Sequence, residues 1–139
     1  MPEQIDAFSG TWRFDPRRSK FRTPPPQSWI QQIKITSNEI SVREEIVRAG
    51  GPPMVVSVHA RFDGKDYPVS GSPGADSIAY TRVSEREVAG TGKKNGVVTL
   101  KETIVLNDDG TMSLSYSILG GGRELASGQA VFCKDNSRT

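Results

Sequence analysis

The chain has 139 residues, 18 basic and 16 acidic, for a net charge of +2. So balanced a charge leaves no electrostatic footprint for nucleic acid or an anionic membrane, and the length suits one domain, 1–139, with a real core. The apolar fraction of 35% is low for a compact fold and fits a single-layer wall, wet outside and partly polar inside. Cys133 is the only cysteine, so an intrachain disulfide is excluded, and no spacing of Cys and His suits a metal.

Met1-Pro2-Glu3-Gln4-Ile5-Asp6 lacks the positive flank and apolar run of a signal peptide. No apolar stretch approaches the ~20 residues that span a bilayer. A soluble, cytoplasmic protein without a membrane partner is expected. Residues 11–14 read as a first short strand. From Asp15 to Gln27 runs a basic segment with Arg17, Arg18, Lys20, Arg22 and Pro24-Pro25-Pro26. Its prolines prevent a helix, and it is expected to be a solvated loop crossing one end of the fold.

Strands are then predicted at 28–36, 39–47, 54–62, 66–70, 76–83, 86–93, 97–107, 111–119 and 124–134, from period-two alternation and β-branched or aromatic content. The cleanest alternation is Met112, Leu114, Tyr116 and Ile118 against Thr111, Ser113, Ser115 and Ser117. Breaks fall at Ser37-Asn38, Gly50-Gly51-Pro52-Pro53, Asp63-Gly64, Asn95-Gly96, Asp109-Gly110 and Gly120-Gly121-Gly122. Asn-Gly and Asp-Gly suit tight hairpins, whose turn residues need positive φ. Hairpins in sequence order make a meander. The fold class is therefore all-β: an up-and-down antiparallel β-barrel of eight to ten strands, able to enclose one small molecule.

Phe8-Ser9-Gly10-Thr11-Trp12 resembles the Gly-x-Trp signature that opens the lipocalin and fatty-acid-binding-protein barrels of the calycin superfamily. The resemblance implies a tryptophan closing the barrel floor against a cation near the last strand, for which Lys134 is the candidate. Ala60-Arg61-Phe62-Asp63-Gly64-Lys65-Asp66-Tyr67-Pro68-Val69, with Gly71-Ser72-Pro73 and Asp76, resembles uncharacterised lipocalin-like bacterial proteins. That likeness covers nearly the whole chain and implies a fold without an activity. The two-helix lid of fatty-acid-binding proteins has no counterpart, because the proline segment occupies its place.

Because strand side chains alternate faces, the apolar set of each strand identifies the inward register. Glu44 breaks into Ile40, Val42 and Ile46; Glu102 breaks into Val98, Leu100, Ile104 and Leu106; Tyr80 and Arg82 follow Ile78. Tyr116 is inward on its strand. Gln31 is expected to share its face with Trp29 and Ile33, and Gln129 with Leu125 and Val131. A buried charge needs a partner, water or a shifted pKa. Arg82 is expected to neutralise one glutamate, leaving the other raised.

Three roles are open for this set. The glutamates serve as interior structure satisfying Arg82 and the tyrosines. Alternatively they help recognise a small, mostly apolar molecule with a polar or anionic group, with Trp29, Gln31, Tyr80, Arg82, Tyr116 and Gln129 as ligand contacts. The third role is catalytic: a cofactor-free lyase, isomerase or cyclase, with Glu44 or Glu102 moving a proton and Arg82 with a tyrosine stabilising an oxyanion. No cofactor is implied. A different class of protein, an interaction module, would use the basic segment instead.

Other features read as structure. His59 opposes the apolar set of Met54, Val56, Val58, Ala60 and Phe62, so it is expected on the outer face or rim. Cys133 is expected to be a small buried residue. The triple glycine is a hairpin tip, since no Lys-Ser/Thr pair follows it. Asp63, Asp66 and Asp76 belong to turns. Gly90 and Gly92 suggest a bend, a bulge or a close approach. A Ser-His-Asp arrangement lacks the Gly-x-Ser-x-Gly elbow.

Overall fold

A computed structural model of the chain describes residues 6–21 and 25–135. Ten strands follow one another: β1 (Gly10–Phe21), β2 (Ser28–Ile35), β3 (Glu39–Val47), β4 (Met54–Arg61), β5 (Tyr67–Ser70), β6 (Ser77–Ser84), β7 (Glu87–Lys94), β8 (Val97–Leu106), β9 (Met112–Gly120) and β10 (Arg123–Lys134). Each pairs antiparallel with its sequence neighbour, and β1 pairs with β10, so the meander closes into a barrel. Closure removes the free edges that would otherwise template aggregation. Among the described residues no helix is long and apolar enough to cross a membrane.

The hairpins follow the turn chemistry. Asn95 (φ 52°) and Gly96 (φ 82°) both take positive φ between β7 and β8, as do Gly121 and Gly122 between β9 and β10. Asp63 accepts the Lys65 amide and the Tyr67 hydroxyl, and Asp76 accepts the Asn95 amide. Asp66 pairs with Lys93. These aspartates are turn and surface groups.

β1 corrects the expected loop. It does not stop at residue 14 but runs to Phe21, pairing with β10 again at Lys20–Gln129 and Phe21–Gly128 after a register shift. The residues between form a wide bulge. Asp15 accepts the Arg17 amide through its side chain and the Ser19 hydroxyl through its carbonyl, while Ser19 Oγ accepts the Val131 amide. Pro16 lacks an N–H to contribute there. Arg18 reaches Asp109 at 2.6 Å, and Arg17 and Lys20 are exposed. Arg22 and Pro24 lie outside the described residues. Of the proline run, Pro26 is buried and reaches the mouth of the barrel.

A second shift, between Glu124 and Ala126, corrects the reading of β10. It turns Ala126, Gly128, Ala130 and Phe132 inward and puts Leu125, Gln129 and Cys133 on the exposed face. An extra residue in one strand inverts every later side chain. Gln129 is therefore no interior group, and Cys133 is exposed rather than buried.

The interior divides along the barrel axis. At the closed end Phe8, Trp12, Ile40, Val88, Met112 and Phe132 are essentially inaccessible. The segment before β1 plugs this end: Trp12 Nε1 donates to the Phe8 carbonyl at 2.9 Å, and Ser9 Oγ accepts the Ile35 amide. Lys134 stands 5.5 Å from the Trp12 ring, a cation–π contact. Toward the opposite end Phe14, Phe21 and Trp29 pack edge-on or tilted on one another and down onto Phe132, with centroids 5.0–6.0 Å apart. Beyond them the barrel is hollow.

Candidate ligand cavity

The hollow measures about 360 Å³ and opens at the end where β3 leads to β4 and β9 to β10. Its walls are Trp29, Ile46, Met54, Val56, Val58, Val69, Ile78, Leu100, Leu114 and Ile118, with Glu44, Glu102 and Tyr116 among them. That volume lies at the small end of the ~300–1,000 Å³ typical of ligand sites. An apolar wall bearing a few convergent polar groups is the usual composition of such a site.

Register places each polar group. Gln31 lies opposite Glu44 on neighbouring strands, and Glu44 opposite Val56. Across the barrel a single rung runs Tyr80–Gly90–Glu102–Tyr116–Gly128–Phe21, through β6, β7, β8, β9, β10 and β1. Two glycines alternate with the bulky members for a steric reason. A Cβ on Gly90 would stand 3.1 Å from both Glu102 Cγ and Tyr80 Cε1, and one on Gly128 2.7 Å from Tyr116 Oη. The missing side chains let the rings and the carboxylate lie across the wall. Gly92 does the same for Leu100.

Glu44 and Glu102 belong to β3 and β8, strands five places apart in a ring of ten, so they project from opposite walls. Glu44 is held: its Oε1 accepts Trp29 Nε1 at 2.8 Å and Gln31 Nε2 at 2.7 Å. Burial raises its pKa, and these two donors pull it back. No hydrogen bond of the described residues reaches the Glu102 carboxyl. Burial first, and the charge of Glu44 second, push Glu102 up to about 8. Burial and both glutamates push the Tyr80 phenol well above its usual value, so it stays a neutral donor. Tyr116 is raised by burial and drawn back by Arg48 at the mouth.

Arg82 is not part of this group. It occupies the inward register opposite Val88, but at the closed end. Its Nη1 donates to Asp6 at 2.9 Å, and Nε and Nη2 donate to the carbonyls of Ser84 and Glu85 at 2.7 Å. The guanidinium also stands over the Phe8 and Phe62 rings. Asp6 thus takes the role expected of a glutamate. Register told which face Arg82 occupies but not its height along the axis, and height separates it from Glu44 and Glu102.

Gln31, Trp29, Tyr80 and Tyr116 all sit on the inner face with the glutamates, and Gln129 does not. The sequence reading missed Arg48, Val69 and Ala126 as cavity walls. The signal for Ala126 was a run of small residues, Ala126, Gly128 and Ala130, opposite large ones on β9. His59 is on the outer face as expected. Its Nδ1 pairs with Ser41 Oγ and its Nε2 with Glu39, each at 2.7 Å. The ring is 67% exposed, and the surrounding N–H groups belong to the β2–β3–β4 ladder, so this trio lacks an oxyanion site.

Among the described residues no group of three or more His, Cys, Asp or Glu is placed to hold a metal ion. No protein-family model matches the chain, and no curated protein matches it in sequence.

Proposed function

We propose that the barrel is lipocalin-like in use as well as in shape, taking up one small, mostly apolar molecule whose polar group meets Glu44, Glu102 and the tyrosines. The observation that carries this reading is the hollow itself. About 360 Å³ is left unfilled beside a tightly packed floor, although protein interiors elsewhere close to crystal density. At ~30 Å³ per molecule it would hold roughly a dozen waters against mostly apolar walls. Displacing them by an apolar ligand is favourable by about 25 cal/mol per Å² covered. Arg82 is committed to Asp6 and two carbonyls at the closed end and does not line the hollow. What remains near the ligand is acceptor-rich.

N-phenylnaphthylamine, neutral and fluorescent in apolar surroundings, is the direct probe. It is expected to bind in the micromolar range with a blue-shifted emission. Ala126→Trp, which fills the hollow from β10 near the mouth, is expected to abolish the signal with the barrel intact by circular dichroism. A saturable signal unchanged by Ala126→Trp, or no signal for either protein, would count against the reading.

One observation favours a second reading, proton transfer. An unpartnered carboxyl with a pKa of about 8 is poised for general acid–base work near neutral pH. Tyr80 or Tyr116 would then stabilise developing charge in place of Arg82. Turnover of an enolisable substrate that falls at least ~100-fold in Glu102→Gln separates this reading from simple carriage.

A further inference from the structure

The cavity has more acceptors than donors. Four carboxyl oxygens belong to it, and beside Glu44 the buried Gln31 Oε1 has no partner among the described residues. Trp29 Nε1 and one proton of Gln31 Nε2 are both donated to the same oxygen, Glu44 Oε1. Tyr116, which lines the hollow, offers one hydroxyl proton, and the buried Tyr80 on the same rung as Glu102 offers another. Among the described residues the one cation lining the hollow is Arg48, exposed at its mouth; Arg82 is committed to Asp6 and two carbonyls at the closed end. Glu44 and Glu102 face each other from opposite walls, near enough for the charge of Glu44 to act on Glu102.

We propose that the molecule this barrel takes up carries a protonated amine, seated between Glu44 and Glu102 with its apolar remainder against Trp29, Ile46, Leu100 and Leu114. An ammonium is a three-donor cation. It supplies what the inner wall lacks, a positive charge and hydrogen-bond donors for the glutamate oxygens that line it. A carboxylate ligand would add negative charge to a space already lined by two acidic side chains. A neutral alcohol would satisfy one acceptor and bring no positive charge. The inference rests on the ligand-binding reading above and narrows its chemical class.

A protonic signature accompanies such binding. Glu102 faces Glu44 from β3, Tyr80 from β6 and Tyr116 from β9, with Arg48 beyond Tyr116. Burial, and the charge of Glu44, favour the protonated form of Glu102. Placing an ammonium beside it favours the carboxylate, so binding should release a proton to the buffer.

The test uses three probes of matched shape, naphthylethylamine, naphthylethanol and naphthylacetate, each displacing N-phenylnaphthylamine from the full chain at pH 7. The amine is expected to bind at least ~10-fold more tightly than the alcohol, the minimum for a hydrogen bond to a charged group, and the acid weakest of all. Its calorimetric enthalpy should vary between buffers of different ionisation enthalpy in the sense of proton release. The double variant Glu44→Gln/Glu102→Gln should lose the preference and bind amine and alcohol with equal affinity. Equal affinity of amine and alcohol in the native protein, or preference for the acid, would overturn the amine assignment and leave the carrier reading standing. Failure of every probe, the neutral dye included, would overturn both.

Discussion

Raising the pH from 5 to 8.5 is expected to lower the unfolding free energy by roughly 3 kcal/mol, and Glu102→Gln to remove most of that loss. The cause is a carboxyl that ionises at its ordinary 4.5 in the unfolded chain but only near 8 in the barrel. Between those values the folded state binds more protons than the unfolded one, so stability falls as pH rises. The loss begins above about pH 4.5 and levels off above about 8. Glu44, raised by burial as well, adds to the slope in the same direction. The lowered carboxyls of Asp63 and Asp109 act below the ordinary carboxylate range and leave this window untouched. Urea denaturation at pH 5, 7 and 8.5 measures the effect. Glutamine keeps the shape and removes the charge, so the variant should be the more stable protein at pH 8.5 and nearly equal to the native one at pH 5. Parallel pH slopes for the two proteins would mean that Glu102 is solvated.

Trp12→Ala is expected to cost about 3–5 kcal/mol, the range for deleting a large buried aromatic side chain. Trp12 is 1% exposed, and its loss removes more than its own volume. The Phe8 carbonyl loses its donor, Lys134 loses the ring it rests on, and the plug over the closed end loses its anchor. Since domains of this size are stable by only ~5–15 kcal/mol, the variant should melt at least ~10 °C lower. Trp12→Phe retains most of the packing and gives up the indole hydrogen bond, at about 1 kcal/mol. Thermal melts of the two variants separate the contributions. A shift of only a few degrees for Trp12→Ala would show that the floor is held mainly by Phe132 and Met112. The cavity at the other end should keep its affinity for N-phenylnaphthylamine in Trp12→Phe.

Alternation and turn chemistry were enough to read the ten-strand barrel, because each strand from β2 onward carries its own apolar period and lies between recognisable breaks. The inward placement of Glu44, Glu102, Tyr80 and Tyr116 came from the same alternation. It failed where a bulge intervened. Nothing in Arg-Glu-Leu-Ala-Ser announces the slip between Glu124 and Ala126, and Gln129 and Cys133 were misplaced as a result. β1 was cut short because Asp15 to Lys20 is charged and carries a proline. Its strand character comes from Ser19 and β10, a long-range contact invisible locally. Arg82 shows a different limit. Facing was legible, but the partner that captures it, Asp6, is 76 residues away in sequence and sits in a segment with no strand pattern.

The most direct measurement is a pH titration of the side-chain carboxyls by carbon-13 NMR, with and without N-phenylnaphthylamine. Two glutamates that titrate well above the rest, one of them near pH 8, and shift when the dye enters would place Glu44 and Glu102 in a shared hollow that receives a ligand. Glutamates that all titrate between about 4 and 5 and ignore the dye would mean that these carboxylates stand in solvent and that the barrel has no such chamber.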